Sequence, residues 1–139
     1  HQVVGFGRAC ALAKEEGGAD AIRVGALREA LWRSLAHLPG VSLNSPLAGG
    51  SPAILNVSFE GVEGESLVTA LTEIAISTGS ACSSATAAGS YVLRSLGRST
   101  ELAQSSLRFS LGRFTCAADI ERASEAVKRA FMRLRSVAP

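Results

Sequence analysis

Residues 53–60 read AILNVSFE. Apolar and polar residues alternate there, the period of a strand with one face in a core and the other against polar surroundings. The pattern returns at 106–114, SLRFSLGRF, where Leu107, Phe109 and Leu111 alternate with Arg108, Ser110 and Gly112. A second strand with one polar face is therefore expected. VSLNS at 41–45 and AIST at 75–78 read as two shorter strands, and PLAGGSP at 46–52 as a turn-rich loop.

The segments around these strands carry helical spacing. Val3, Phe6, Cys10 and Ala13 recur as on one helical face, with Gly17-Gly18 as the expected stop. A second helix is expected from Asp20 to His37, striped by Val24, Leu27, Leu31, Leu35 and Leu38 and ended by Pro39-Gly40. GESLVTALTEI at 64–74 is amphipathic, and 90–97 and 100–104 read as short helical turns. Thr115 is placed to cap a last helix with Ile120, Ala123, Val127, Ala130, Phe131 and Leu134 on one side. The alternation of the two periods gives an α/β domain, helices packed on a small mixed sheet.

Composition narrows the partners. The chain has 139 residues, a formal net charge of +2 and an apolar share of 47%, which argues for a folded domain and against disorder. The basic residues are scattered arginines rather than a run, so nucleic acid is not indicated. No apolar stretch approaches the roughly 20 residues of a membrane helix, and the start, HQVVGFGRACALAKEE, lacks the layout of a signal peptide. A charged share of 19% is somewhat low and suggests surface covered by another element. The chain opens in mid-helix pattern without an initiator methionine, as a piece of a longer protein would. Cys10, Cys82 and Cys116 are odd in number and widely spaced, with no metal-ligand spacing; a reducing compartment is the simplest reading.

Cys82 stands out by its setting. It lies in STGSACSSATAAGSYVL, 77–93, among Ser, Thr, Gly and Ala residues, with no His, Lys or Arg within ten residues. A core strand would carry larger apolar side chains. The stretch reads as a mobile loop built around one thiol, the alternative being an inert, partly buried cysteine. Arg108 is the second candidate. On the polar side of a strand, its planar fork suits a carboxylate, either a substrate's or that of an internal acid. Arg113 serves the same face or pairs with a helix acid. Cys116 falls at a helix N-terminus, Cys10 on an apolar helical face and therefore in the core, and His37 at a helix end where capping is expected. His1 is terminal. Asn56 and Glu63-Gly64-Glu65 read as turn and capping features.

Taken together, HQVVGFGRACALAKEE, ILNVSFEGVEGESL, STGSACSSATAAGSYVLRSLG and ELAQSSLRFSLGRFT resemble the C-terminal part of a cysteine desulfurase of the housekeeping, iron–sulfur-cluster type, within the class-V aminotransferase family. The resemblance implies the small C-terminal domain of the aminotransferase-like fold of type I pyridoxal-phosphate enzymes. Residues 1–16 would end the large cofactor domain and 17–139 would form the small domain. It implies conversion of L-cysteine to L-alanine. Cys82 would attack the substrate sulfur held on the cofactor and carry it as a persulfide on an extended loop. Arg108 would bind the substrate carboxylate.

The family is a homodimer that passes sulfur to an acceptor such as an iron–sulfur scaffold protein. Its compartment is the bacterial cytoplasm, or a mitochondrial matrix. The family's Schiff-base lysine lies upstream of the matching segments, and neither Lys14 nor Lys128 falls in such a motif. The 139-residue chain alone is therefore expected to lack activity, with pyridoxal phosphate bound mainly elsewhere. Gly89 stands where the family usually has proline, which is expected to loosen the loop. The chain stops at RLRSVAP, short of the tail that many members use to dock the scaffold. A selenocysteine lyase-like homologue and a non-enzymatic persulfide carrier are the competing readings.

Overall fold

The computed structural model describes residues 1–78 and 89–137. Its elements run α1 (Gln2–Leu35), β1 (Val41–Leu43), β2 (Ile54–Phe59), α2 (Gly64–Ala70), α3 (Tyr91–Ser95), α4 (Thr100–Gln104), β3 (Ser106–Ser110) and α5 (Ala117–Val137). The strands form one sheet in the order β1-β2-β3. Both pairings are antiparallel, rather than mixed as expected, with Val41 opposite Phe59 and Asn56 opposite Arg108. AIST contributes a single bridge, Ser77 to Arg108, and not a strand.

The alternation read at 53–60 and 106–114 sorts the two sheet faces. Leu55, Val57, Phe59, Leu107 and Phe109 point one way and are buried with Val24, Leu31 and Leu35 of α1 and with Val127, Ala130 and Phe131 of α5. Phe59 meets Phe131 edge-on, ring centroids 5.3 Å apart, an arrangement that aligns a positive ring edge with a negative ring face. Leu67 and Leu71, in and just after α2, close the same core. α2 stops at Ala70, four residues before the expected end, because Leu71 leaves helical geometry at φ −96°, ψ 58° and turns into the core.

Four helical expectations are corrected. The first two helices are one, a 34-residue α1 running through Gly17-Gly18. Each glycine costs about 1 kcal/mol relative to alanine in a helix. That is too little to break a segment rich in Ala, Leu, Glu and Arg whose second half is anchored by buried Val24, Leu31 and Leu35. Only that second half packs. The apolar side chains of the first half, Val3, Val4 and Phe6, are 84, 76 and 72% exposed, and Cys10 is exposed rather than core. Thr115 does not cap α5. Its hydroxyl accepts from Gly112 N–H at 2.9 Å, and Cys116 takes the capping position, its carbonyl accepting from Asp119 and Ile120 N–H. His37 lies beyond the end of α1, where the C-cap is Ala36.

Candidate functional site

The other face of the sheet is mainly polar, and the register lays out two polar rows across the strands beside a third in which Ile54 stands opposite Ser110. Ser42, Ser58 and Ser106 form one row. Asn44, whose N–H donates to Asn56 O at 2.9 Å, continues β1 into the second row with Asn56 and Arg108. α4 covers the serine end: Ser106 Oγ donates to Leu102 O at 2.6 Å, and Phe59 N–H donates to Ser105 O at 3.0 Å.

The serine row fixes the hydrogen-bond directions of its neighbour. A hydroxyl has one proton, and that of Ser106 is committed to Leu102 O. In the 2.8 Å contact between Ser58 Oγ and Ser106 Oγ, Ser58 must therefore donate. Both protons are spent, so the amide that approaches the pair must present its nitrogen. Asn44 does so, Nδ2 lying 2.8 Å from Ser58 Oγ and 3.3 Å from Ser106 Oγ. The same nitrogen donates to Asn56 Oδ1 at 2.8 Å. Asn44 Oδ1 is left buried and without a partner among the described residues.

Arg108 stands at the open end of this face and is exposed. It makes no ion pair among the described residues, so the internal-acid reading of its guanidinium is not met there. Its backbone N–H donates to Ser77 O at 2.7 Å. Arg108 thus faces two ways: the side chain projects from the polar face, and the backbone ties down the start of the segment that carries Cys82. Cys82 itself lies outside the described residues.

The remaining candidates separate from this face. Arg113 is structural. Its Nε and Nη2 each lie 2.8 Å from Asp20 Oδ2, and Nη2 lies 3.3 Å from Glu16 Oε2. The hydrogen bond from Arg113 is the main reason the Asp20 carboxyl sits below its usual range. Arg23 adds to the clasp, donating to Thr115 O at 2.8 Å and to Arg113 O, so α1 is pinned to the turn before α5. Cys116 is used locally: its Sγ lies 3.2 Å and its N–H 3.0 Å from Asp119 Oδ2. Asp119 is drawn down to about 2, first by the Cys116 N–H and then by the thiol and Arg122.

No group of three or more metal-ligating side chains gathers among the described residues, and no helix is long and apolar enough to cross a membrane. Lys128 pairs with Glu125 at 2.9 Å on α5, which packs on the apolar face, and Lys14 lies in the exposed half of α1.

The loop that Gly89 is expected to loosen lies outside the described residues, but Gly89 itself is described. It is half-buried at φ +65°, and a Cβ there would come within 3.1 Å of Gln104 N. Proline, fixed near −65°, could not take this conformation. Asn56 lies within β2, the strand expected over 53–60, and forms no turn; it is on the polar face beside Arg108. The period-2 pattern of 53–60 was the signal that placed it there.

Comparison with known proteins agrees with this layout. The class-V aminotransferase family model matches residues 1–123. The chain is 50% identical over its whole length to the cysteine desulfurase IscS of Edwardsiella ictaluri, covering 34% of that protein. The cysteine desulfurase IscS of Salmonella schwarzengrund matches with the same identity and coverage. The chain therefore spans about a third of the length of the curated relatives it matches. Among solved structures, a NifS-like protein from Rickettsia africae superposes with a TM-score of 0.79 at 26% identity, over 92% of this chain and 33% of that one. With the family model covering most of its residues, the chain belongs to the class-V aminotransferase family.

Proposed function

We propose that the chain is the C-terminal small-domain part of a cysteine desulfurase, which converts L-cysteine to L-alanine and retains the sulfur as a persulfide on Cys82. The observation that carries this reading is the position of Arg108. It is an exposed guanidinium with no ion pair among the described residues, bridged through its backbone to Ser77. Cys82 follows Ser77 by five residues, a span of at most about 18 Å for extended chain. A substrate whose carboxylate meets Arg108 is thus within tethered reach of the thiol. Identity of 50% to enzymes named cysteine desulfurase along the whole chain supports the same assignment.

In this reading the Cys82 thiolate forms a bond to the sulfur of L-cysteine as the substrate's carbon–sulfur bond breaks. The carbon takes up a proton and leaves as alanine, so thiol plus cysteine becomes persulfide plus alanine. Arg108 holds the carboxylate with a bidentate, charge-assisted pair. Pyridoxal phosphate is held mainly by the part of the enzyme beyond this chain. Residues 1–16 then belong to the end of the cofactor domain, which gives the exposed Val3, Val4 and Phe6 a neighbour to pack against. The enzyme works as a homodimer in a bacterial cytoplasm, or in a mitochondrial matrix, and hands sulfur to an acceptor such as an iron–sulfur scaffold protein.

Cys82→Ser in the complete enzyme tests this reading. Persulfide formation from L-cysteine should vanish while cofactor absorbance is retained. Persistent persulfide in that variant would sink the assignment.

A further inference from the structure

Arg108 does not stand alone on its face. Its N–H points to Ser77 and away from β2, and Asn56 N–H and C=O point toward Ser45 and Asn44, away from β3. The facing residues Asn56 and Arg108 are therefore a non-hydrogen-bonded antiparallel pair, the closer of the two kinds, with side chains about 5 Å apart at Cβ.

The orientation of the Asn56 amide follows from the chain of donors above. Leu102 O takes the Ser106 proton, Ser106 takes that of Ser58, and both hydroxyls then require a donor from Asn44. Asn44 spends its second proton on Asn56 Oδ1. The acceptor atom of Asn56 is thereby turned inward, toward β1, and its Nδ2 is turned outward. That nitrogen makes no hydrogen bond among the described residues, and Asn56 is half-buried. A cross-strand neighbour of an arginine that offers two N–H groups and no competing oxygen suits an anion.

We propose that Asn56 is a second donor to the substrate carboxylate, completing with Arg108 a two-residue cradle whose geometry is set by Asn44. This rests on the carboxylate role of Arg108 given above. Arg108 supplies charge and a bidentate fork. Asn56 supplies a neutral donor held at fixed orientation by a network that begins in α4, so little ordering remains to be done when the carboxylate arrives.

The test uses the complete, cofactor-loaded enzyme and two probes, L-alanine and ethylamine, which is alanine without its carboxylate. Asn56→Ala should weaken L-alanine about tenfold by calorimetry and raise KM for L-cysteine by a similar factor, more than it lowers kcat. Ethylamine binding should not change. Asn56→Asp keeps an acceptor for Asn44 and so preserves the network, but turns a negative oxygen toward the ligand. It should weaken L-alanine more than Asn56→Ala does, and it stands in if the alanine variant fails to fold. Equal losses for both probes, or no loss for L-alanine, would overturn the role of Asn56. Arg108→Ala separates this from the parent reading: L-alanine affinity unchanged in that variant removes the carboxylate site itself, whereas a large loss there with none at Asn56 removes only the second donor.

Discussion

The two faces of the β1-β2-β3 sheet carry the same strands and opposite duties. On one, Leu55, Val57, Phe59, Leu107 and Phe109 are nearly inaccessible, packed under α1 and α5. On the other, Asn44, Asn56, Ser58 and Ser106 form a directed hydrogen-bond network, and the exposed Arg108 stands opposite Asn56. The contrast teaches that a three-stranded sheet can commit one face wholly to stability while the other is built mainly from small polar groups, most of them bonded to one another, with Ser42 Oγ and Asn44 Oδ1 left buried without a partner among the described residues. The residues proposed to bind substrate then sit where the core is not, one residue away along each strand.

Substitutions on each face should break that symmetry of duty in different ways. Phe59→Ala removes a fully buried ring in edge contact with Phe131 and should cost about 3–5 kcal/mol of stability in denaturant unfolding. Arg108→Ala should leave stability within about 0.5 kcal/mol while weakening dependence on L-cysteine. A variant that unfolds the protein from the Arg108 position, or one at Phe59 that only alters substrate affinity, would show that the faces are not divided as described. Ser58→Ala probes the covered end of the polar row. It deletes a buried hydroxyl that donates to Ser106 and accepts from Asn44, and should cost about 1–3 kcal/mol. A neutral result would mean that the row is not a connected network.

The period of two made both faces legible in advance, and with them the burial of the core and the exposure of Arg108. Asn56 was the residue that composition concealed. Asparagine is depleted in strands and common in turns, so its identity argued for a loop while its position in the alternation argued for the polar face, and position decided. The reverse error arose in α1. Gly17-Gly18 looked like a stop, but local propensity is a weak term beside the packing of Val24, Leu31 and Leu35. Cys10 was misplaced for a related reason: helical spacing defines a stripe, but says nothing of whether this chain supplies a surface to cover it. Arg113 could be read as serving the site or as pairing with a helix acid, and only the fold, by bringing residues 16 and 20 of α1 beside it, selects the second.

Two smaller effects sharpen the account of the helices. Gly17→Ala and Gly18→Ala have open space at the added Cβ and should each raise stability by up to about 1 kcal/mol if α1 is continuous; a loss would indicate a break. The smallest effect concerns acid. Asp119 is lowered from an ordinary carboxylate value near 3.8 to about 2 by the Cys116 N–H and thiol. A depressed carboxyl stabilises the folded state fully above its unfolded value, and that contribution is lost as pH falls through the folded one. Melting temperature should therefore decline between about pH 4 and pH 2, and Asp119→Asn should flatten that portion of the profile. An unchanged profile in the variant would show that the cap of α5 does not depend on this carboxylate.

The central claim is that Cys82 receives the sulfur. The direct measurement is to supply the complete enzyme with pyridoxal phosphate and L-cysteine, quantify alanine, and map by mass spectrometry which cysteine gains 32 mass units, about one sulfur atom. Alanine together with the added sulfur on Cys82 is the predicted result. No alanine, or added sulfur only on Cys10 or Cys116, would contradict it.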